Sequence, residues 1–222
     1  MIKLIEDTGT SSNMTTFIYV IFGFMLFIFL FRAALGYRTY KTSIYPHLYD
    51  NYLIDYFYKL NVLQDASVSQ LLKKMIGSHR LVYANIANKE GKLAAQIVTL
   101  IHGKGILSIA YLRNSGKLSG SDSGFWNIHR IEEGKEKKYR IENPAVYLRE
   151  YNTHLRQVLS DKRVESVIAV SDDCDLSNIH STFKVVHYSK LKEIIEQADC
   201  GYGLNETEIS EIFQKLGGKL SR

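Results

Sequence analysis

The chain has 222 residues, with 28 Lys and Arg against 23 Asp and Glu, and its formal net charge of +5 is a modest excess. It fits an anionic membrane surface or nucleic acid and demands neither. Two cysteines, Cys174 and Cys200, exclude a disulfide or zinc framework and read as small apolar residues, and two prolines argue against a long disordered linker.

The chain opens with a tail, residues 1–13, followed by an apolar segment from Met14 to Gly36. Thr15 to Phe31 carries no charge. A bilayer core needs roughly 20 apolar residues in a helix, so the segment is long enough to span. The start MIKLIED has one lysine against two acids, unlike the basic start of a cleaved signal peptide, and an uncleaved anchor is expected. Arg32, Arg38 and Lys41 follow the span and Lys3 alone precedes it. Basic residues stay on the cytoplasmic side, which predicts a single-pass protein with residues 1–13 outside and its C-terminal domain, residues 37–222, in the cytoplasm.

A tyrosine-rich juxtamembrane segment occupies residues 37–63. Tyr45, Tyr49, Tyr52 and Tyr56 fall at spacings of four, three and four, one stripe of a helix begun by Pro46. Tyrosine suits a membrane interface, with an apolar ring and a wet hydroxyl, and also a protein interface. A stripe that packs against the parent domain has the same spacing. The four tyrosines are the candidate binding residues.

Residues 64–222, about 185 with the juxtamembrane segment, are enough for one domain with its own core. A helix is predicted over 64–77, with Asp65 or Ser67 as N-cap and Gly77 as the stop. HRLVYANI, 79–86, alternates as a strand. A hairpin spans 94–112 around Gly103-Lys104-Gly105, and a second joins 124–131 to 137–141. Gly116 to Gly124 reads as a flexible loop. Asn143-Pro144 opens a helix over 144–160, VESVIAV (164–170) and KVVHY (184–188) read as buried strands, and helices follow at 188–198 and 205–216.

This ordered set of motifs resembles the nuclease-related domain, NERD, a relative of the PD-(D/E)xK nucleases. The matching residues are the hairpin with GKG at 103–105, the Gly116 to Gly120 exit, Trp126, Asn143-Pro144 and the late strand Val167 to Val170. They lie within Ser67 to Ala198. The resemblance implies an α/β fold with a mixed central sheet flanked by helices, restriction-endonuclease-like. It also implies where a metal site would lie. The aspartate falls on Ile97 or Val98, the glutamate of the E-x-K pair on Ala110 and its lysine on Leu112. A hard divalent cation needs oxygen ligands and usually a carboxylate. Without the metal, phosphodiester attack loses both nucleophile activation and charge stabilisation. The expectation is a nuclease fold kept for its shape, with no catalytic residues, no metal and no cofactor.

Other chemistry is weighed against this. Asp172, Asp173 and Asp175 follow a buried strand and read as a solvated Asp-rich turn, with a displaced metal site as the alternative. Seven scattered histidines make no metal pair at helical spacing and read as surface or satisfied core residues. Lys135, Lys137, Lys138 and Arg140 alternate with Glu132, Glu133, Glu136 and Glu142, which weakens a nucleic-acid interface. The layout of one N-terminal anchor and a compact cytoplasmic domain resembles the entry-exclusion proteins of IncI-type conjugative plasmids, the ExcA type. That resemblance implies a place in the bacterial inner membrane and a protein partner from a conjugation system. The expected function is protein recognition by a membrane-anchored, non-catalytic domain. A membrane-bound nuclease with a displaced site, or a nucleic-acid-binding module, are the competing classes.

Overall fold

The computed structural model describes residues 8–41, 70–88, 90–159 and 162–217. The chain divides into two units, one holding the N-terminal helix and the other the α/β domain. Helix α1, Thr8–Lys41, is continuous. Its stretch Thr15–Ala34 is long and apolar enough to cross a bilayer. At 1.5 Å per residue that stretch measures about 30 Å, the thickness of the hydrocarbon core. Its large apolar side chains, among them Phe17, Phe22, Met25 and Phe29, stand exposed.

The α/β domain is built on a five-stranded mixed sheet in the order β1-β2-β3-β7-β9. Strands β1 (His79–Ala87), β2 (Leu93–His102) and β3 (Gly105–Leu112) form an antiparallel meander. Strand β7 (Glu165–Val170) adds parallel to β3, and β9 (Lys184–His187) parallel to β7. The apolar runs of β2, β3 and β7 are buried on both faces, as a covered sheet requires. Helix α2, Gln70–Ile76, lies within the helix expected over 64–77; residues 64–69, with both candidate N-caps, fall outside the described residues.

Helix α3, Pro144–Val158, crosses one face of this sheet. Asn143 caps it, its side chain accepting from the Ala145 amide, and Pro144 occupies a first-turn position where a missing N–H costs nothing. Ala145, Leu148, Asn152 and Leu155 form its buried stripe. Helices α4 (Leu191–Gln197) and α5 (Glu206–Lys215) complete the domain. Asn205 and Glu208 close a reciprocal capping box at the start of α5.

The prediction of one central sheet is corrected by a second, four-stranded sheet in the order β6-β5-β4-β8. The Gly116 to Gly124 stretch is not a flexible loop: Gly116–Ser121 is strand β4. It pairs antiparallel with β5 (Trp126–Glu132), which forms a hairpin with β6 (Lys135–Ile141). The segment after β7 is likewise not all loop, because Cys174–His180 is strand β8, parallel to β4. The thiols also do more than fill space. Cys174 Sγ donates to the Asn114 carbonyl at 2.9 Å, and Cys200 Sγ donates to the Ile106 carbonyl at 3.2 Å and accepts from the Ile106 amide at 3.3 Å.

Candidate functional site

The positions on which the resemblance would put metal ligands lie in the centre of the apolar core. Ile97 on β2 pairs with Ala110 on β3, which pairs with Ile168 on β7. These residues share one face of the sheet and have no exposed surface. Alternation along β2 puts Val98 on the opposite face, opposite Ile109 and equally buried, so Ile97 is the position that faces with Ala110. Leu112 packs at the edge of the same cluster. Leu118, Trp126 and Ile128 of the second sheet and Ala145 and Leu148 of α3 close over it. None of these groups offers an oxygen ligand or a cation.

Three of the motifs, the glycine-rich exit, Trp126 and Asn143-Pro144, converge beside this core. Gly120 lies so close to Trp126 that a Cβ there would stand 2.4 Å from Trp126 Cδ1. Trp126 Nε1 donates to the Ser121 carbonyl at 2.9 Å. Asn143 Nδ2 donates to the same carbonyl at 2.9 Å and to the Gly124 carbonyl at 3.1 Å. The glycine-rich exit, the tryptophan and the Asn-Pro helix start thus lock one another, and each serves the fold.

The three clustered acids do not share a partner. Asp172 accepts from the Ser189 amide at 3.0 Å, Asp175 from the Ser177 amide at 2.9 Å, and Asp173 is exposed. No group of His, Cys, Asp or Glu among the described residues is arranged to hold a metal ion. The acid that does organise structure is Asp122, after β4. It accepts from the Ser181 hydroxyl and from the Thr182 amide and hydroxyl, and it pairs with Arg149 at 3.3 Å. Burial opposes its charge, but these hydrogen bonds and the Arg149 guanidinium hold its carboxyl below the usual carboxylate range.

Ser119, His129 and Glu136 form a chain across the outer face of the second sheet, at 3.3 Å from Oγ to Nε2 and 3.0 Å from Nδ1 to Oε1. The residue types match a nucleophile, a base and an orienting acid. Glu136 is 68% exposed, however, and the chain lies on an open strand surface, where water solvates the charge that an oxyanion site must stabilise. Its role is cross-strand pairing.

A polar row interrupts the core one step along the sheet from Ile97 and Ala110. Thr99, Ser108 and Ser166 are neighbours on β2, β3 and β7. Above them Tyr151 and Asn152 of α3 bond to Thr99 at 2.9 Å and to Ser166 at 2.7 Å. Ser108 Oγ and Asn152 Oδ1 are buried without a hydrogen-bond partner. Beside this row opens a cleft of about 500 Å³, where the first residues of β7 extend beyond the start of β9. Ser166 and Asn152 line its floor, and Arg156, Arg163, Lys184 and Glu165 also line it.

Among the candidate residues, Ile97, Ala110 and Leu112 come together and Val98 does not. The stripe Tyr45, Tyr49, Tyr52 and Tyr56 lies outside the described residues. The polar row was not anticipated; its signal is a single hydroxyl residue inside each of three apolar strands. Comparison of the chain with protein-family models, with curated proteins and with solved structures gives no match.

Proposed function

We propose that this chain is a membrane-tethered, non-catalytic recognition protein built on a nuclease-like core. The observation that carries the proposal is the full burial of Ile97 and Ala110 beneath α3 and the second sheet. A metal-dependent nuclease needs carboxylates at a solvent-reached edge, and here the corresponding positions are apolar and closed. The apolar stretch of α1 supports tethering, and the basic residues Arg32, Arg38 and Lys41 after it support a cytoplasmic α/β domain at the bacterial inner membrane. Function then lies in surfaces, with the tyrosine stripe between anchor and domain as the first contact for a protein partner. The setting that fits this layout is exclusion of redundant plasmid transfer, with a conjugation component of the donor as the partner.

The test is a mating assay. Recipient cells expressing the chain should accept an IncI-type plasmid at a frequency at least ten times lower than recipients expressing the empty vector, a difference expected of a partner bound in preference to others. Equal transfer into both recipients would remove this assignment.

A further inference from the structure

We propose that the cleft at the open edge of β7 binds a phosphate monoester. Three cations, Arg156 from α3, Arg163 from the segment before β7 and Lys184 from the start of β9, line one cavity with a single carboxylate, Glu165. Three cations less one carboxylate leave two net positive charges. A phosphate monoester carries about −1.5 to −2 at neutral pH, which matches that excess. Among the described residues, none of the three cations forms an ion pair within the domain. Cations in excess of the one carboxylate attract a dianion into the cavity. Two guanidiniums also supply the forked donors that grip phosphate oxygens in pairs.

The floor of the cleft is an independent observation. Asn152 is only 7% exposed, lines the cavity and has a buried oxygen without a partner. Buried polar groups are normally satisfied, and this acceptor takes a donor, a hydroxyl of the ester's body or a bridging water, while the cations hold the phosphate oxygens. The volume, about 500 Å³, lies within the range of small-molecule sites. Val164, Phe183 and Ile194 give it an apolar wall, so the ester is expected to carry an apolar or aromatic body beside its phosphate. This site shares no residue with the tyrosine stripe and survives or fails independently of the recognition reading.

The experiment is thermal unfolding of the full chain in detergent micelles, without divalent metal. The probes are adenosine monophosphate, adenosine and inorganic phosphate, and nanodiscs with or without phosphatidic acid form a second arm. Adenosine monophosphate at about 100 times its dissociation constant should raise the midpoint by roughly 5–10 °C, and adenosine should not. The double variant Arg156→Gln, Arg163→Gln should weaken binding at least ~10-fold while its unliganded midpoint stays unchanged, because both side chains are exposed. Should that variant not fold, Lys184→Gln, which leaves α3 intact, should weaken binding in the same direction. Stabilisation by phosphatidic acid alone would uphold the phosphate site and assign it to a lipid headgroup. No saturable shift with any phosphate probe, or undiminished affinity in the folded variants, would overturn the proposal.

Discussion

Ile97 and Ala110 face each other across β2 and β3, and neither has any exposed surface. A charge placed at either position is buried without a partner. Ala110→Glu should therefore destabilise the domain by about 3 kcal/mol or more, read as a lowered denaturant midpoint, and should not create magnesium-dependent stabilisation. A stable Ala110→Glu variant whose melt rises with magnesium would show that the site lies open.

Gly105 meets Cys200 just as closely. Its φ is +133°, and a Cβ there would stand 2.5 Å from Cys200 Cβ. The Cys200 amide donates to the Lys104 carbonyl and the Leu204 amide to the Gly103 carbonyl, so the segment before α5 docks on this turn. Gly105→Ala should cost at least about 2 kcal/mol through strain and displacement of that segment. Adding Cys200→Ala should restore only part of the loss, since it removes the contact with Sγ at 2.6 Å and leaves that with Cβ at 2.5 Å. A Gly105→Ala variant as stable as the natural chain in urea would contradict the contact.

Acid should weaken the fold through two histidines. His79 and His102 are cross-strand partners on β1 and β2, and both are buried. Burial, aided by Lys104, pushes His102 down to about 4, and burial also lowers His79. The unfolded chain takes up these protons first, near pH 6.5. The stability they preserve is thus present above about pH 6.5 and is lost as pH falls toward 4, with a slope of up to ~1.4 kcal/mol per pH unit for each histidine. Urea midpoints measured across that window should fall with pH, and His102→Leu should flatten the fall. An unchanged slope in that variant would remove His102 from the account.

Local signals exposed much of the fold. The strands β2, β3 and β7 announce themselves as apolar runs, and Asn143-Pro144 and the Asn205 to Glu208 capping box mark helix starts. The glycine-rich β4 was hidden, because its pairing with β5 and β8 comes from distant partners rather than from its own composition. Strand β8, CDLSNIH, was hidden for the same reason. Each hydroxyl of the Thr99, Ser108 and Ser166 row is visible alone, but only the strand register joins them. Arg156, Arg163 and Lys184 share no motif spacing, so nothing local draws them into one cleft.

The tyrosine stripe offers a separate test. Changing Tyr45, Tyr49, Tyr52 and Tyr56 to serine should abolish the exclusion phenotype while the chain still fractionates with membranes, because the apolar stretch Thr15–Ala34 is untouched. The melting midpoint of the detergent-solubilised chain should stay within about 2 °C of the natural one. A fall of several degrees would make the stripe a packing element.

The most direct measurement is nuclease activity of the stringently purified full chain with DNA and RNA, in magnesium and in manganese. The account predicts no cleavage with either metal, since the positions of Ile97, Ala110 and Leu112 supply neither ligands nor a phosphate-contacting cation. Metal-dependent cleavage that is lost on changing Asp172, Asp173 or Asp175 to alanine would contradict it and establish a displaced active site.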